Sequence, residues 1–177
     1  MFRLFDYIED PMNLALKLAK KCLEHDDVPV GCVILNNKNQ LVGFGKNSVI
    51  KNKDATAHAE IEAIRLACLS LNSDKLFDTS LFVTLQPCVM CESAIFQSRI
   101  NNIFFGAYQE NSKEIHNYTK KKYFSEKHKF QFYGGFYEKQ SSKLLKKFFE
   151  KKKRKKLIKI FLPNIFSIKA ILPINYF

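Results

Sequence analysis

The chain has 177 residues, 46% hydrophobic and 26% charged, a balance that suits one globular domain with a proper core plus an appendage. Nothing near Met1 reads as a signal peptide and no run of eighteen uncharged apolar residues occurs, so a transmembrane span is excluded and a cytoplasmic address expected. The formal charge of +12 points to a polyanionic partner, and the stretch Lys146 to Lys159 concentrates it, with Glu150 as its one acid. A composition rich in Lys, Asn, Ile and Phe and lacking Trp also fits an AT-rich genome, a competing account of part of that charge.

Along the chain, Asp10-Pro11 reads as an N-cap followed by proline in the first turn. Met12, Ala15, Leu16, Ala19, Cys22 and Leu23 then form a helical stripe ending near His25. Val30 to Leu35 is an apolar run of strand length, Asn36 to Asn39 a turn, and Gln40 to Gly45 the second arm of a hairpin. Asn47 to Thr56 is polar and predicts a loop. His58 to Leu71 predicts a helix with Ile61, Ile64, Leu66 and Ala67 on its apolar side. Leu81 to Leu85 reads as a buried strand, Pro87 opens a second helix with Cys88, Cys91, Ala94 and Ile95, and Ile103 to Phe105 is a short strand.

Asn111 to Lys129 is polar and ambiguous, Phe130 to Tyr133 suits a last strand, and a helix from Glu138 carries Leu144, Leu145, Phe148 and Phe149. Strands alternating with helices predict an α/β domain over 1–156, three layers (α/β/α) around a mixed five-stranded sheet. The apolar segment from Leu157 to Phe177, interrupted by Pro163 and Pro173, stands outside that scheme. It reads either as a membrane-surface or partner segment beside a polybasic run or, as the two prolines favour, as a loosely packed extension.

Five cysteines without a secretory signal do not suggest a disulfide framework. Cys22, Cys32 and Cys68 lie in apolar stretches and read as core packing. Cys88 and Cys91 differ, because spacing i, i+3 at a helix start places both sulfurs on one face, where backbone N–H groups and the helix dipole favour thiolates. With His58 at another helix start, they make a donor set that Zn²⁺ accepts tetrahedrally. A structural zinc site is closed by four protein ligands. Three leave a position for a water whose pKa zinc lowers from about 15.7 to roughly 7. Glu60, two residues past His58, is placed to move that water's proton without binding the metal. His-x-Glu with Pro-Cys-x-x-Cys is a signature of zinc deaminases acting on nucleobases. A lone Cys-x-x-Cys is often a redox pair, and a fourth ligand from Cys22, Cys32, Cys68 or His25 would make the site structural.

The fragments Val28-Pro29-Val30-Gly31, Asn47, Asp54-Ala55-Thr56-Ala57-His58-Ala59-Glu60-Ile61, Leu85-Gln86-Pro87-Cys88-Val89-Met90-Cys91, Ser98-Arg99-Ile100 and Phe105-Gly106-Ala107 closely resemble the bacterial tRNA-specific adenosine deaminases. The resemblance covers roughly Leu14 to Arg154. It implies a cytidine-deaminase-like fold, a homodimer with active sites near the subunit interface, one Zn²⁺ per subunit, and conversion of adenosine to inosine at the wobble position of an arginine tRNA. It assigns the zinc to His58, Cys88 and Cys91 and the proton shuttle to Glu60. It assigns Asn47 to the flipped-out base and Phe149 and Arg154 to the anticodon loop, with Asp54 and Ala59 as further substrate-binding candidates. DNA and membrane are not expected partners. Gln86 stands where the family more usually has an acid, Ala55 where it has proline, and Gln109 where an acidic residue is common. Gln140-Ser141 replaces a Glu-Cys pair, and 108–118 lacks a Gly-rich stretch. Two other readings compete: a deaminase of free guanine or cytosine, which needs no basic terminal helix, and an inert zinc module presenting RNA, which should have lost Glu60.

Overall fold

The computed structural model describes residues 3–109 and 131–161, with side chains through Arg154. Five strands form one sheet: β1 (Gly31–Asn36), β2 (Leu41–Lys46), β3 (Thr79–Leu85), β4 (Asn102–Ala107) and β5 (Gln131–Tyr133). Their order is β2-β1-β3-β4-β5. β1 runs antiparallel to β2 and β3, whereas β3, β4 and β5 are mutually parallel, so the sheet is mixed. The parallel steps are the ones that need crossover segments.

Side chains alternate across the sheet, and each face meets its own helices. Cys32, Ile34, Leu81, Val83, Ile103 and Phe105 face the layer of α3 (Ala59–Leu71) and α4 (Val89–Gln97), joining Ala63, Ala67 and Ile95 in the larger core. Val33 and Leu35 face the opposite way and pack with Leu14, Ala15 and Leu18 of α1 (Pro11–Lys21). On that second face Val33 pairs with Phe82 and Phe82 with Phe104. The Phe82 and Phe104 rings stack at 4.7 Å, and Tyr133 stacks on Phe104 at 5.0 Å. The last helix, α5 (Glu138–Phe161), lies on the same face, where Ser141 Oγ crowds Gly106. The expected three layers around a mixed five-stranded sheet therefore form.

Local signals place most element starts. Asp10 Oδ1 accepts from Asn13 N at 3.0 Å, with Pro11 in the first turn and Lys20 and Lys21 in the last. A 3-10 turn over Cys22–His25 ends at Asp26, whose φ of 58° reverses the chain.

Three features differ from expectation. Val49–Asn52, inside the stretch expected as a loop, forms a short helix, α2. In α3 the buried face is Ala59, Glu60, Ala63, Ile64 and Ala67, while Ile61 and Leu66 are only half-buried. The reason is the close approach of α3 to β2: a Cβ at Gly43 would lie 2.4 Å from Ala63 O, and one at Gly45 2.3 Å from Ala59 O. Only small residues fit such an interface, so bulky apolar periodicity marks the wrong stripe. Finally, α5 runs unbroken past position 157 to Phe161. Residues 110–130, including the ambiguous polar stretch, and 162–177 of the terminal segment lie outside the described residues. Among those described, no helix is long and apolar enough to cross a membrane.

Candidate active site

His58 and Cys88 occupy the same local position in two different helices. Each is an N-cap residue with extended backbone (φ −72°, ψ 154° and φ −79°, ψ 171°), and neither uses its side chain to cap its own helix. Both side chains are thus free to meet. His58 Nδ1 lies 3.6 Å from Cys88 Sγ and 3.4 Å from Cys91 Sγ, with Cys91 in the first turn of α4. All three donor atoms lie within 4.8 Å of one another.

These spacings test whether the residues fit a metal. A tetrahedral zinc with Zn–S of about 2.3 Å and Zn–N of about 2.05 Å requires an S···N separation of about 3.6 Å. The Cys88 separation of 3.6 Å meets that value and the Cys91 separation of 3.4 Å lies just inside it. Among the described residues no other histidine, cysteine or acid joins the group, so the fourth ligand weighed from Cys22, Cys32, Cys68 or His25 is not supplied. Cys22 Sγ instead contacts Val30 O at 3.3 Å in the core, and Cys32 is fully buried.

The two thiols of the trio are shifted in opposite directions. The hydrogen bond from Cys91 draws Cys88 down to about 5, against the penalty of its burial, with His58 helping. The same hydrogen bond, then burial, pushes the Cys91 thiol up, and binding of a metal displaces the proton from such a thiol.

The loop before His58 is built by Asp54. Its Oδ1 accepts from Thr56 N and Thr56 Oγ1, both at 2.8 Å, and Thr56 O in turn accepts from His58 N at 2.7 Å. Asp54 thus positions the histidine and, with its side chain 4.0 Å from Arg65, does not line the cavity. Ala59 is wholly buried at the start of α3, where it allows the approach to Gly45.

Glu60 sits in the first turn of α3, 4% exposed. Burial first, and then the neighbouring Cys88, push its carboxyl up to about 7, while its own backbone N–H, His58 and Cys91 pull the other way. A carboxyl near neutrality can both take and return a proton.

His58, Glu60 and Cys88 open into a cavity of about 360 Å³. Its other polar lining is Asn47, Gln86, Gln109 and Asp27, and its apolar walls are Val28, Val30, Val49, Ile50 and Leu85. Such a volume with few polar groups suits one heterocyclic ring. Two of the positions noted as departing from the family pattern, Gln86 and Gln109, are wall residues here, joined by Gln109 N donating to Gln86 Oε1 at 3.4 Å. Asp27, Val49 and Ile50 carried no motif in the sequence and were not singled out. Their participation follows from α2, which no local pattern announced.

Phe149 and Arg154 lie on α5, outside the cavity lining. Phe148 is buried (5%) and Phe149 half-exposed (49%), their rings edge-on at 5.3 Å. Arg154 is exposed. Lys152 of the same helix reaches Asp26 at 3.8 Å, and Asp26 precedes the wall residue Asp27. Lys152 therefore ties the basic helix to the turn that leads into Asp27.

Residues 6–107 match the family described as the cytidine and deoxycytidylate deaminase zinc-binding region. The chain belongs to that family. The zinc-binding deaminase assignment and the one-ion donor set thus agree, and the motif-based resemblance is borne out by named relatives. The tRNA-specific adenosine deaminase of Buchnera aphidicola subsp. Schizaphis graminum is 46% identical over 96 residues, which cover 54% of this chain and 63% of the relative. The chain thus spans less than two thirds of that relative's length. A structure from work on A-to-I editing by tRNA:A34 deaminases at the wobble position of transfer RNA superposes with TM-score 0.70 at 33% identity, covering 76% of this deaminase-family chain and 98% of the other. The guanine deaminase of Bacillus subtilis gives TM-score 0.55 at 30% identity, covering 70% and 82%.

Proposed function

We propose that this deaminase-family chain converts adenosine to inosine at the wobble position of a tRNA anticodon, with an arginine tRNA as substrate. The observation that carries the chemistry is the three-donor set opening into a cavity beside buried Glu60. Bound by His58, Cys88 and Cys91, zinc supplies a water activated for attack at neutral pH. Glu60 carries one proton of the attacking water to the ring nitrogen and the other to the departing amine, so that adenosine and water give inosine and ammonia. Asn47 and Gln86 offer amide groups to the base. Val49, Ile50 and Leu85 supply apolar surface for its ring and exclude bulk water.

The choice of an RNA substrate is supported by α5. An anticodon loop presents unstacked bases that a pocket can receive, and its phosphates favour a cationic surface. Lys151, Lys153 and Arg154 provide an exposed one, Lys152 ties their helix to the turn before Asp27, and half-exposed Phe149 provides a face for stacking. Within this reading the protein is cytoplasmic, and it acts as the homodimer that the family resemblance implies.

A second reading, deamination of a free base, is favoured by the likeness to the Bacillus subtilis guanine deaminase. The two separate in one assay of zinc-loaded protein with an arginine-tRNA anticodon stem-loop and, beside it, free adenine, cytosine and guanine. Inosine in the stem-loop is the expected result. Turnover of a free base alone overturns the substrate. An inert zinc module is disfavoured by the retention of Glu60, and absence of any turnover in the zinc-loaded protein would restore it.

A further inference from the structure

The helix α2 spans only Val49–Asn52, far shorter than the length at which a helix holds itself together. It also lacks a cap of its own, since Ser48 makes no side-chain capping bond and its Oγ donates instead to Lys46 O at 3.2 Å. Yet two of its residues, Val49 and Ile50, line the cavity. What holds this wall lies 23 residues upstream. Asp27 Oδ1 accepts from Ile50 N at 2.7 Å and Oδ2 accepts from Lys51 N at 3.1 Å. One carboxylate thus satisfies two of the N–H groups that a helix start leaves unpaired, and its charge faces the positive end of the turn.

Asp27 is itself held. It is 1% exposed, its own N–H donates to Cys22 O at 3.2 Å, and it follows Asp26, whose left-handed backbone sets the turn. The anchor is therefore a rigid, buried side chain at the edge of the core, while the element it grips is short, with Ile50 53% exposed.

We infer that Asp27 is a positioning residue for the deamination reaction, clamping α2 so that Val49 and Ile50 form a fixed apolar wall against the substrate ring. Although Asp27 borders the cavity, both of its carboxylate oxygens are taken by the amides of Ile50 and Lys51, so it acts through α2 and not through the proton path of Glu60. The consequence falls on substrate binding: with the clamp released, the wall must be ordered by the substrate itself, and affinity drops by that ordering cost. The zinc trio is carried by the starts of α3 and α4, and its one near link to the clamp is the loop before His58, where Asp54 N donates to Val49 O at 3.1 Å and Ser48 N to Ala57 O at 2.9 Å.

The inference rests on the proposed reaction at this site, and its test has an arm that does not. In Asp27→Ala the amides of Ile50 and Lys51 should lose protection in hydrogen exchange, while α3 and the sheet keep theirs. Asp27→Asn, which retains one acceptor oxygen, should fall between Asp27→Ala and wild type, and Asp27→Glu should recover part of the loss. With the anticodon stem-loop, KM should rise roughly tenfold in Asp27→Ala, the worth of one to two lost hydrogen bonds, with kcat and one zinc per chain preserved. Unchanged exchange at Ile50 and Lys51 would overturn the clamp. Faster exchange with unchanged KM, or a loss of kcat and zinc in parallel with KM, would overturn the positioning role. If wild-type protein fails to deaminate the stem-loop but turns over a free base, the substrate assignment falls and the same KM comparison is made with that base. Should Asp27→Ala not fold, the Asn and Glu variants carry both measurements.

Discussion

Replacing Gly45 by alanine tests how the sheet sets the metal site. The new Cβ would lie 2.3 Å from Ala59 O, 2.7 Å from Ala63 N and 2.8 Å from Glu62 Cβ. Two of these are backbone atoms that cannot swing aside, and all belong to the start of α3. Comfortable contact between heavy atoms begins near about 3.5 Å, so the helix start must retreat by about 1 Å. Overpacking of this kind costs about 1–3 kcal/mol, and for a chain of this size that lowers Tm by roughly 2–10 °C. The same retreat carries His58 away from Cys88 and Cys91. Zinc sites hold ligand distances to within about 0.2 Å, so zinc affinity should weaken by about tenfold or more. Gly43→Ala is the control, because its Cβ meets Ala63 O at 2.4 Å and Ala67 Cβ at 2.7 Å, one turn farther along α3. It should lose comparable stability and less zinc affinity. Competition titration against a chromophoric chelator, with thermal melts of both variants, measures the two effects. Zinc affinity in Gly45→Ala equal to wild type, or weaker binding in Gly43→Ala than in Gly45→Ala, would refute the reasoning.

Other outcomes follow from the same geometry. Glu60→Gln should retain one zinc per chain by metal analysis and lose turnover by about 10²–10⁴-fold, the range of a removed proton shuttle. Chelation by EDTA should lower Tm and expose the Cys88 thiolate to thiol labelling, while fully buried Cys91 and Cys32 stay unreactive in the folded chain. Phe148→Ala should destabilise by about 3–5 kcal/mol, as a buried aromatic does, in a denaturant melt. Phe149→Ala should change stability by less than about 0.5 kcal/mol, since its side chain is half-exposed. It should weaken stem-loop binding in a filter or anisotropy assay by about 1–3 kcal/mol.

The parts of the fold legible in the sequence are those whose cause is local. Asp10-Pro11, the hairpin around Asn36–Asn39, and the two fragments around His58 and Cys88 each carry their own signal within a few residues. The zinc donors were legible for the same reason: each stands at a helix start, and the pairing needed only that the two starts converge. α2 was not legible because its cap comes from Asp27, far away in sequence. The buried face of α3 misled for a different reason, since helix-to-strand contact through Gly43 and Gly45 selects alanine over larger apolar residues. Asp54 illustrates a third limit. It lies in the motif as a substrate-binding candidate, and its carboxylate serves the turn that presents His58. Proximity in sequence to a ligand does not distinguish touching the substrate from holding the loop.

The metal donors join two stretches of chain separated by 30 and 33 residues. Everything between them, including α3 and β3, becomes a closed ring of polypeptide once the three side chains share an ion. In an unfolded chain such a ring forfeits loop-closure entropy worth about 3–4 kcal/mol, much as a disulfide of that span would. Unlike a disulfide, this cross-link forms in a reducing compartment and opens without electron transfer. Metal supply would then act as a latch on the fold as well as on catalysis: a chain starved of the ion loses its chemistry and its tether together, and becomes the form that proteases recognise first.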